Sequence, residues 1–440
     1  MVAKAKTFLG GIHPAYNKDK TAGQPIEVAR VPKVLIFPMN QHIGAPCKPL
    51  VQVGDRVLRG QKIGDSDAKI SAPIHSSVSG QVIAIENRPH PGGRDSLAVV
   101  VENDGKDETV RPFVRPKAIE ELTPAEIVQI VREAGIVGLG GAAFPTHFKL
   151  VPPPGAKIDA VILNGAECEP YLTCDHRIML ENPEDVVEGL RLILKAVGVE
   201  KGFIGVEENK KNAIAALEKA CAPYPGLTVV PLEVKYPQGL ELQLIKAVLG
   251  REVPSGKLPA DVGVLVNNVG TAAAVAEAVY TGRPLTERVV TVTGSLIEHP
   301  KNVLVRIGTP FRDLLEECGL RRQPGKIIQG GPMMGITQST TDVPVVKGVS
   351  GILVLSEAEA APLEAGPCIR CGRCVDVCPM FLQPVNLGQF AERGMYEQAE
   401  AQHILDCREC GSCAFICPAR RPILQNIRLA KSAILAKRRK

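Results

Sequence analysis

Apolar and polar positions follow several different rhythms along this 440-residue chain. Between about Ile26 and Glu102 the apolar runs are short and cut by turns: Val34–Pro38, Pro49–Val53, a Gly54-Asp55 turn, Val57-Leu58, Ile70–Pro73 and Ser79–Ile85. Strands at that spacing predict a small all-β module. The period changes at Thr123, which reads as an N-cap, with Pro124 at the first helical position, Glu126 completing a capping box and Gly135 as the stop. Strands and helices then alternate. The strands are Ile158–Leu163, Phe203–Val206, Leu227–Val234 and Gly263–Val266. The helices run from Asn182-Pro183 towards Gly198 and over Lys210–Ala220, Leu240–Leu249 and Ala272–Tyr280. That succession predicts an α/β domain with a largely parallel sheet, whose ligands bind beyond the carboxyl ends of its strands.

Val289–Gly319 reads as a small β-rich module ending in a helix capped by Thr309-Pro310, followed by a glycine-rich link, Gly330–Gly335, and an extended segment. Leu387–Ala401 reads as a helix pair between two cysteine runs. The expected division is 1–115, 116–285, 286–345 and 346–440, a multidomain α/β protein with a helical C-terminal domain.

Composition is that of an ordinary globular protein, 45% hydrophobic and 22% charged, so sizeable cores are available. Tryptophan is absent and aromatics make up 4%, which speaks against base-stacking platforms and nucleic acid. Six of the 52 bases lie in the tail, as Arg428, Lys431 and Lys437–Lys440, without an acid among them; the other 46 nearly balance the 47 acids. Two readings of that tail stand: a basic amphipathic helix that touches anionic lipid or an acidic partner, or a solvated terminus. Met1–Lys20 is dotted with lysines and broken by Gly10, Gly11 and Pro14, unlike a secretory signal. No apolar run reaches the roughly eighteen residues of a membrane span, so membrane contact is expected to be peripheral.

The chemistry is concentrated near the C-terminus. Cys368-Ile-Arg-Cys371-Gly-Arg-Cys374-Val-Asp-Val-Cys378-Pro379 recurs as Cys407-Arg-Glu-Cys410-Gly-Ser-Cys413-Ala-Phe-Ile-Cys417-Pro418. Each copy is C-x2-C-x2-C-x3-C-P, the run that holds [4Fe–4S] clusters in two-cluster ferredoxins, with the fourth cysteine ligating the other cluster. Cluster one is therefore assigned to Cys368, Cys371, Cys374 and Cys417, and cluster two to Cys407, Cys410, Cys413 and Cys378. Zinc has no use for eight thiolates at this spacing. Thiolates kept free for clusters imply a reducing compartment, the cytosol or the cytosolic side of a membrane.

A second concentration lies upstream. Gly138-Leu-Gly140-Gly141-Ala-Ala-Phe-Pro145 is either a backbone nest for a phosphate or a tight structural turn. It meets neither standard nucleotide fingerprint. Asn164-Gly-Ala-Glu167-Cys-Glu169-Pro170 and Asn267-Asn268-Val-Gly-Thr271 each follow a strand, where helix caps are common but a site also belongs.

Together with Gly10-Gly-Ile-His-Pro14, Gln41-His-Ile-Gly-Ala45 and Lys235-Tyr-Pro-Gln-Gly239, these stretches closely resemble, over essentially the whole chain, the C subunits of Rnf complexes, ion-pumping ferredoxin:NAD oxidoreductases. The central domain is similar to the NADH- and FMN-binding flavoprotein subunit of respiratory complex I, and the following module to its β-grasp domain. Val53–Gly64 with Ala72-Pro73 and Ser79–Val82 resembles the barrel-sandwich of biotinyl and lipoyl carriers, yet Ile74-His-Ser-Ser stands where a carrier has its lysine, so the module reads as scaffold.

The resemblance implies FMN held by Gly138, Gly140, Gly141, Lys149, Asn164, Asn267, Asn268 and Thr271. It places NAD(H) at Glu169, with Glu167 beside it, and at Gly239. It implies no side-chain acid or base, a relay of single electrons through the two clusters to or from partner subunits, ferredoxin as an indirect donor, and a place on the cytoplasmic face of the cell membrane. The chain departs from the complex I pattern at Ala143 (glycine there), Ala166 (aspartate there) and Gly239-Leu-Glu-Leu242, which has one acid rather than two. A flavo-iron-sulfur cobalamin reductase and a non-enzymatic electron wire are the alternative readings.

Overall fold

A computed structural model describes residues 5–113, 117–361 and 364–438. In the N-terminal module Val34–Pro38, Ser96–Asn103, Gly80–Arg88 and Arg56–Val57 form an antiparallel sheet in that order. A second sheet of Lys48–Pro49, Lys62–Asp65 and Ile74–His75 lies over it around Leu35, Phe37, Ile63, Ile74, Val82 and Val99. The expected Pro49–Val53 strand pairs only at its first residue. The expected Ile70–Pro73 strand does not form; pairing starts just beyond it, at Ile74, and Pro73 has no N–H to give a ladder.

The central sheet is parallel, ordered Leu227–Leu232, Gly202–Glu207, Ala160–Gly165, Val264–Asn268. Helix Pro124–Glu133 carries the expected capping box: Glu126 N donates to Thr123 Oγ1 at 3.3 Å, and Thr123 N to Glu126 Oε2 at 2.8 Å. Helix Pro183–Val197 ends on Gly198 with φ +78°. Helix Cys174–Glu181, for which the pattern gave no sign, precedes it.

The next sheet has six strands, in the order Ile26–Val28, Lys301–Arg306, Glu287–Gly294, Gly351–Leu355, Lys326–Gln329, Ile336–Gln338. Its outer strand at 26–28 and its central strand at 351–355 both lie outside the expected 286–345, so this module closes only with chain from either side. Helix Phe311–Glu317 starts after Pro310 without a side-chain cap, and Thr309 Oγ1 is buried without a partner, so the expected Thr309 cap does not form.

The cysteine domain is built from short helices Arg373–Asp376 and Ser412–Phe415 and longer ones at Pro384–Glu392, Tyr396–Ala401 and Ile423–Arg438. Through Arg438 the tail is an ordered helix and not a fraying terminus. Its helix begins at Ile423 and buries Ile427, Ala430 and Ile434 against Leu387, Ala391 and Ile404. Lys431 and Arg428 pair with Glu409 at 2.6 and 3.0 Å, and Lys437 with Glu397 at 3.2 Å, while Arg438 meets Glu400. Arg439 and Lys440 lie outside the described residues. Among the described residues no helix is long and apolar enough to cross a membrane.

Candidate flavin cradle and cluster sites

The glycine loop is folded back on itself, with Gly138 N donating to Phe144 O at 2.9 Å and Ala143 N to Gly138 O at 3.2 Å. It lies across the tip of strand Val264–Asn268. Leu139 N donates to Thr271 Oγ1 at 2.9 Å, and a Cβ on Gly140 would come within 3.3 Å of Asn268 Cβ. Gly141 has φ +120°, and a Cβ there would meet nothing within 4 Å, so the loop turns an open backbone surface outward.

Asn268 caps the following helix, its Oδ1 accepting from Gly270 N at 2.9 Å and Thr271 N at 3.3 Å while its amide donates to Asp175 at 2.7 Å. Neighbouring Asn267 is buried with Nδ2 unpartnered. One strand over, Asn164 Nδ2 donates to Gly239 O at 2.7 Å. Lys149 closes the rim with a 2.9 Å ion pair to Glu241. All the glycine, lysine, asparagine and threonine positions therefore converge at the carboxyl ends of one parallel sheet. Open glycine backbone, an orphaned buried amide and a lysine at the rim fit a flavin phosphate and ring edge.

The two glutamates separate. Both oxygens of Glu167 are committed to the start of helix Cys174–Glu181, accepting from Asp175 N at 2.7 Å and His176 N at 3.2 Å. Glu169 turns towards the glycine-rich link, where Oε1 accepts from Met333 N at 3.2 Å and Met334 N at 2.6 Å. Its Oε2 is buried without a partner, and burial pushes its pKa up to about 7. Asp175 is likewise pushed up, by burial and then by the charge of Glu167. Glu167, Cys174 and Asp175 lie within 4.8 Å of one another, and the hydrogen bonds within the group account for that closeness.

Two lysines outside every motif hold this loop. Lys18 Nζ donates to the carbonyls of Glu167 at 2.8 Å, Glu169 at 2.9 Å and Leu172, and burial lowers its pKa. Lys210, 1% exposed, donates to Ala166 O at 2.7 Å and pairs with Glu207 at 3.2 Å. No motif marks either, since the carbonyls they hold lie at least 44 residues away along the chain.

The cysteines gather as two sets. The thiols whose charges act on Cys374 are Cys417 and Cys371; those acting on Cys413 are Cys407, Cys410 and Cys378. A cavity is lined by Cys378, Cys407, Cys410 and Cys413 with Leu387 and Ile427. A larger groove, about 490 Å³, runs between Gly394–Glu400 and Ala433–Arg438, but no cysteine lines it. The motifs repeat in detail: Arg370 and Glu409 both have φ +56°, and each amide donates to the sulfur two residues back, Cys368 or Cys407, at 3.4 Å. Soft thiolates in two such sets fit two cubane clusters. Cys371 is exposed, whereas Cys378, Cys410 and Cys413 are buried.

Fold and donor sets define a flavo-iron-sulfur electron-transfer protein. The chain matches the RnfC barrel sandwich hybrid domain over 6–106, the Nuo51 FMN-binding domain over 131–277, the SLBB domain over 289–337 and the 4Fe-4S dicluster domain over 363–419. It is 52% identical over 442 residues, covering 100% of both chains, to the C subunit of the Na(+)-translocating ferredoxin:NAD(+) oxidoreductase complex of Acetobacterium woodii. It is 52% identical over 431 residues, covering 97% of this chain and 94% of that one, to the proton-translocating counterpart of Clostridium ljungdahlii. The C subunit of the ion-translocating oxidoreductase complex of Rhodobacter capsulatus is 41% identical over 436 residues, 97% of this chain and 83% of its own.

The chain belongs to this family of ion-translocating oxidoreductase C subunits. Among solved structures, an air-oxidized NAD+-reducing [NiFe]-hydrogenase chain aligns with TM-score 0.51 at 19% identity, covering 71% of this chain and 61% of that one, a likeness of fold. The expected four-part fold class, FMN and paired [4Fe–4S] clusters are borne out by these matches. The full-length match to these C subunits, barrel sandwich included, favours them over the cobalamin reductase alternative.

Proposed function

We propose that this chain is the NAD-facing subunit of a membrane-associated, ion-translocating ferredoxin:NAD oxidoreductase, placed peripherally on the cytoplasmic face and joined to the membrane through partner subunits. The observation that carries this is a flavin cradle and a dicluster domain in one chain, over the full length of relatives with that activity. Bound FMN supplies exchange of a hydride with NAD(H) and release of its electrons singly, which clusters alone cannot do.

The chain's own residues bind and orient. Gly138, Gly140 and Gly141 present open backbone to the flavin phosphate with Lys149 near it, and Asn164, Asn267, Asn268 and Thr271 shape the floor at the strand ends. Glu169 and Gly239 face the nicotinamide nucleotide side, and Glu167 holds the 167–172 loop by capping helix Cys174–Glu181. Buried apolar contacts around Cys378, Cys410 and Cys413 keep water from cluster two. Partner subunits receive or deliver the electrons, and reduced thiolates require the cytoplasmic side.

Anaerobically purified protein is expected to contain about eight irons and one FMN per chain and to lose its flavin absorbance on adding NADH. Intact clusters with a flavin that NADH fails to bleach would leave an electron wire instead.

A further inference from the structure

Contacts that neither motif contains join the cradle to one cluster. Tyr236, 1% exposed, lies three residues before Gly239. Its Oη donates to Cys410 O at 2.7 Å. Its main chain pairs with Ile12 in both directions, at 2.8 and 2.9 Å, and the strap that carries Ile12 reaches the other side of the same cluster, where Gly11 N donates to Val377 O at 2.9 Å. Gln243 Nε2 donates to Pro379 O at 2.9 Å, the residue after Cys378. Ile12, Cys168, Tyr236 and Cys410 form one buried apolar cluster, with Met333, Val377 and Ile416 packed against it. On the cradle side, Cys168 Sγ accepts from Gly239 N at 3.3 Å. The loops that ligate cluster two are thus gripped from the flavin domain. Around cluster one, by contrast, Ile369, Arg370, Cys371 and Arg373 are exposed.

We propose that Tyr236 is a positioning residue that fixes cluster two as the station beside the flavin cradle and tunes its potential, leaving cluster one as the outward station. This rests on the reading above that FMN fills the cradle and the cysteines hold two clusters. A hydride amounts to two electrons and one proton. With FMN and both clusters bound, its two electrons would leave one at a time by way of cluster two and cluster one, a partner subunit taking each from cluster one before the next arrives, and the proton would go to solvent. Tyr236 stays a donor, its hydroxyl hydrogen held by the Cys410 carbonyl. It acts as a fixed dipole: its hydroxyl proton, aimed at the carbonyl of a ligand residue in a dry contact, favours the electron-richer cluster.

Tyr236→Phe deletes the donor and keeps the ring. Wild-type protein analysed first for iron and FMN tests the underlying reading separately. In the variant, iron, FMN and the rate of flavin bleaching by NADH stay as in wild type. An EPR-monitored redox titration then shows reduction of cluster two disfavoured by about two- to twelvefold, the range of one net hydrogen bond. That is ~20–65 mV at 59 mV per decade for one electron. Cluster one does not move; the Cys371→Ser protein, which lacks it, assigns the signals. Equal shifts in both clusters, a shift in cluster one alone, or none would overturn the proposal. Should Tyr236→Phe fail to load its clusters, Gly11→Ala makes the same test. Its Cβ at φ +83° would come within 2.7 Å of Tyr236 O, so the strap must move, and the same selective shift is required.

Discussion

Replacing Thr271 by valine removes one hydroxyl from a fully buried side chain of nearly unchanged shape. That hydroxyl is the acceptor for Leu139 N at 2.9 Å, the bond that ties the glycine loop to the start of helix Val269–Thr281. Leu139 is itself 6% exposed, so in the variant its N–H stays dry and unpaired wherever the loop keeps its shape. An unsatisfied buried donor costs about 1–3 kcal/mol. The loop has a way to avoid this cost before flavin arrives: Gly140–Ala142 are exposed, and the loop's other ties outside itself are the 3.3 Å bond from Arg288 Nη2 to Leu139 O and the 3.2 Å bond from Ile43 N to Ala143 O, at either end of that exposed stretch. It opens, water reaches the amide, and closing again is charged to flavin binding. At about 1.4 kcal/mol per tenfold, FMN affinity falls roughly 5- to 150-fold. Titrating deflavinated protein with FMN, read by quenching of flavin fluorescence, measures this, with iron content as the control. An FMN affinity within twofold of wild type, together with a lowered Tm, would refute the reasoning, because the bond would then hold the fold without shaping the cradle.

Glu169→Gln keeps an oxygen for the Met333 and Met334 amides and removes a carboxyl whose pKa is raised from 4.5 to about 7. A raised carboxyl pKa means the folded chain binds the extra proton, so the wild type loses stability as pH rises from about 4.5 to 7, by at most ~3 kcal/mol. Tm measured across that range should fall for the wild type relative to the variant and run parallel above pH 7. Gly239→Ala brings a Cβ to 3.2 Å from Asn164 Oδ1 and 3.4 Å from Cys168 Sγ, so flavin content should drop while iron stays constant. Crossed ligation predicts that Cys417→Ser and Cys371→Ser abolish one and the same EPR signal, and Cys378→Ser and Cys410→Ser the other. Loss of matching signals by Cys371→Ser and Cys378→Ser would reverse the assignment.

Elements with a one-sided apolar face and local punctuation were readable from the chain, as Thr123 with Glu126 and Asn182-Pro183 with Gly198 illustrate. Strand Ser96–Asn103 was not read, because Val99 and Val101 enter one core while Ala98 and Val100 enter another, so no period of two survives. Helix Cys174–Glu181 was hidden for a different reason. Its capping carboxylate, Glu167, comes from seven residues before its first residue. At the candidate site, residue types and spacing singled out the cysteines and the glycine loop as candidates. Lys18, Lys210 and Tyr236 carried no such mark, since their roles come from burial and from carbonyls supplied by other parts of the chain.

The segment before the barrel-sandwich explains why separate cores still make one relay. It follows the flavin domain at Lys6, which pairs with Leu232, and at Ile12, which pairs with Tyr236. It holds the Glu167–Leu172 loop through Lys18, then adds Ile26–Val28 to the edge of the six-stranded sheet. Most of these contacts are main-chain bonds at module edges, and the six-stranded sheet takes its outer strand from this segment. The spacing between cradle and cluster two depends on it as well, since Gly11 and Ile12 fill the seam between Tyr236 and Val377. A long-range strap is entropically costly to order, and each of its bonds is individually modest. On the proposed order of stations its return is positional: it immobilises the seam between cradle and cluster two, where misplacement of about 1 Å is enough to degrade function.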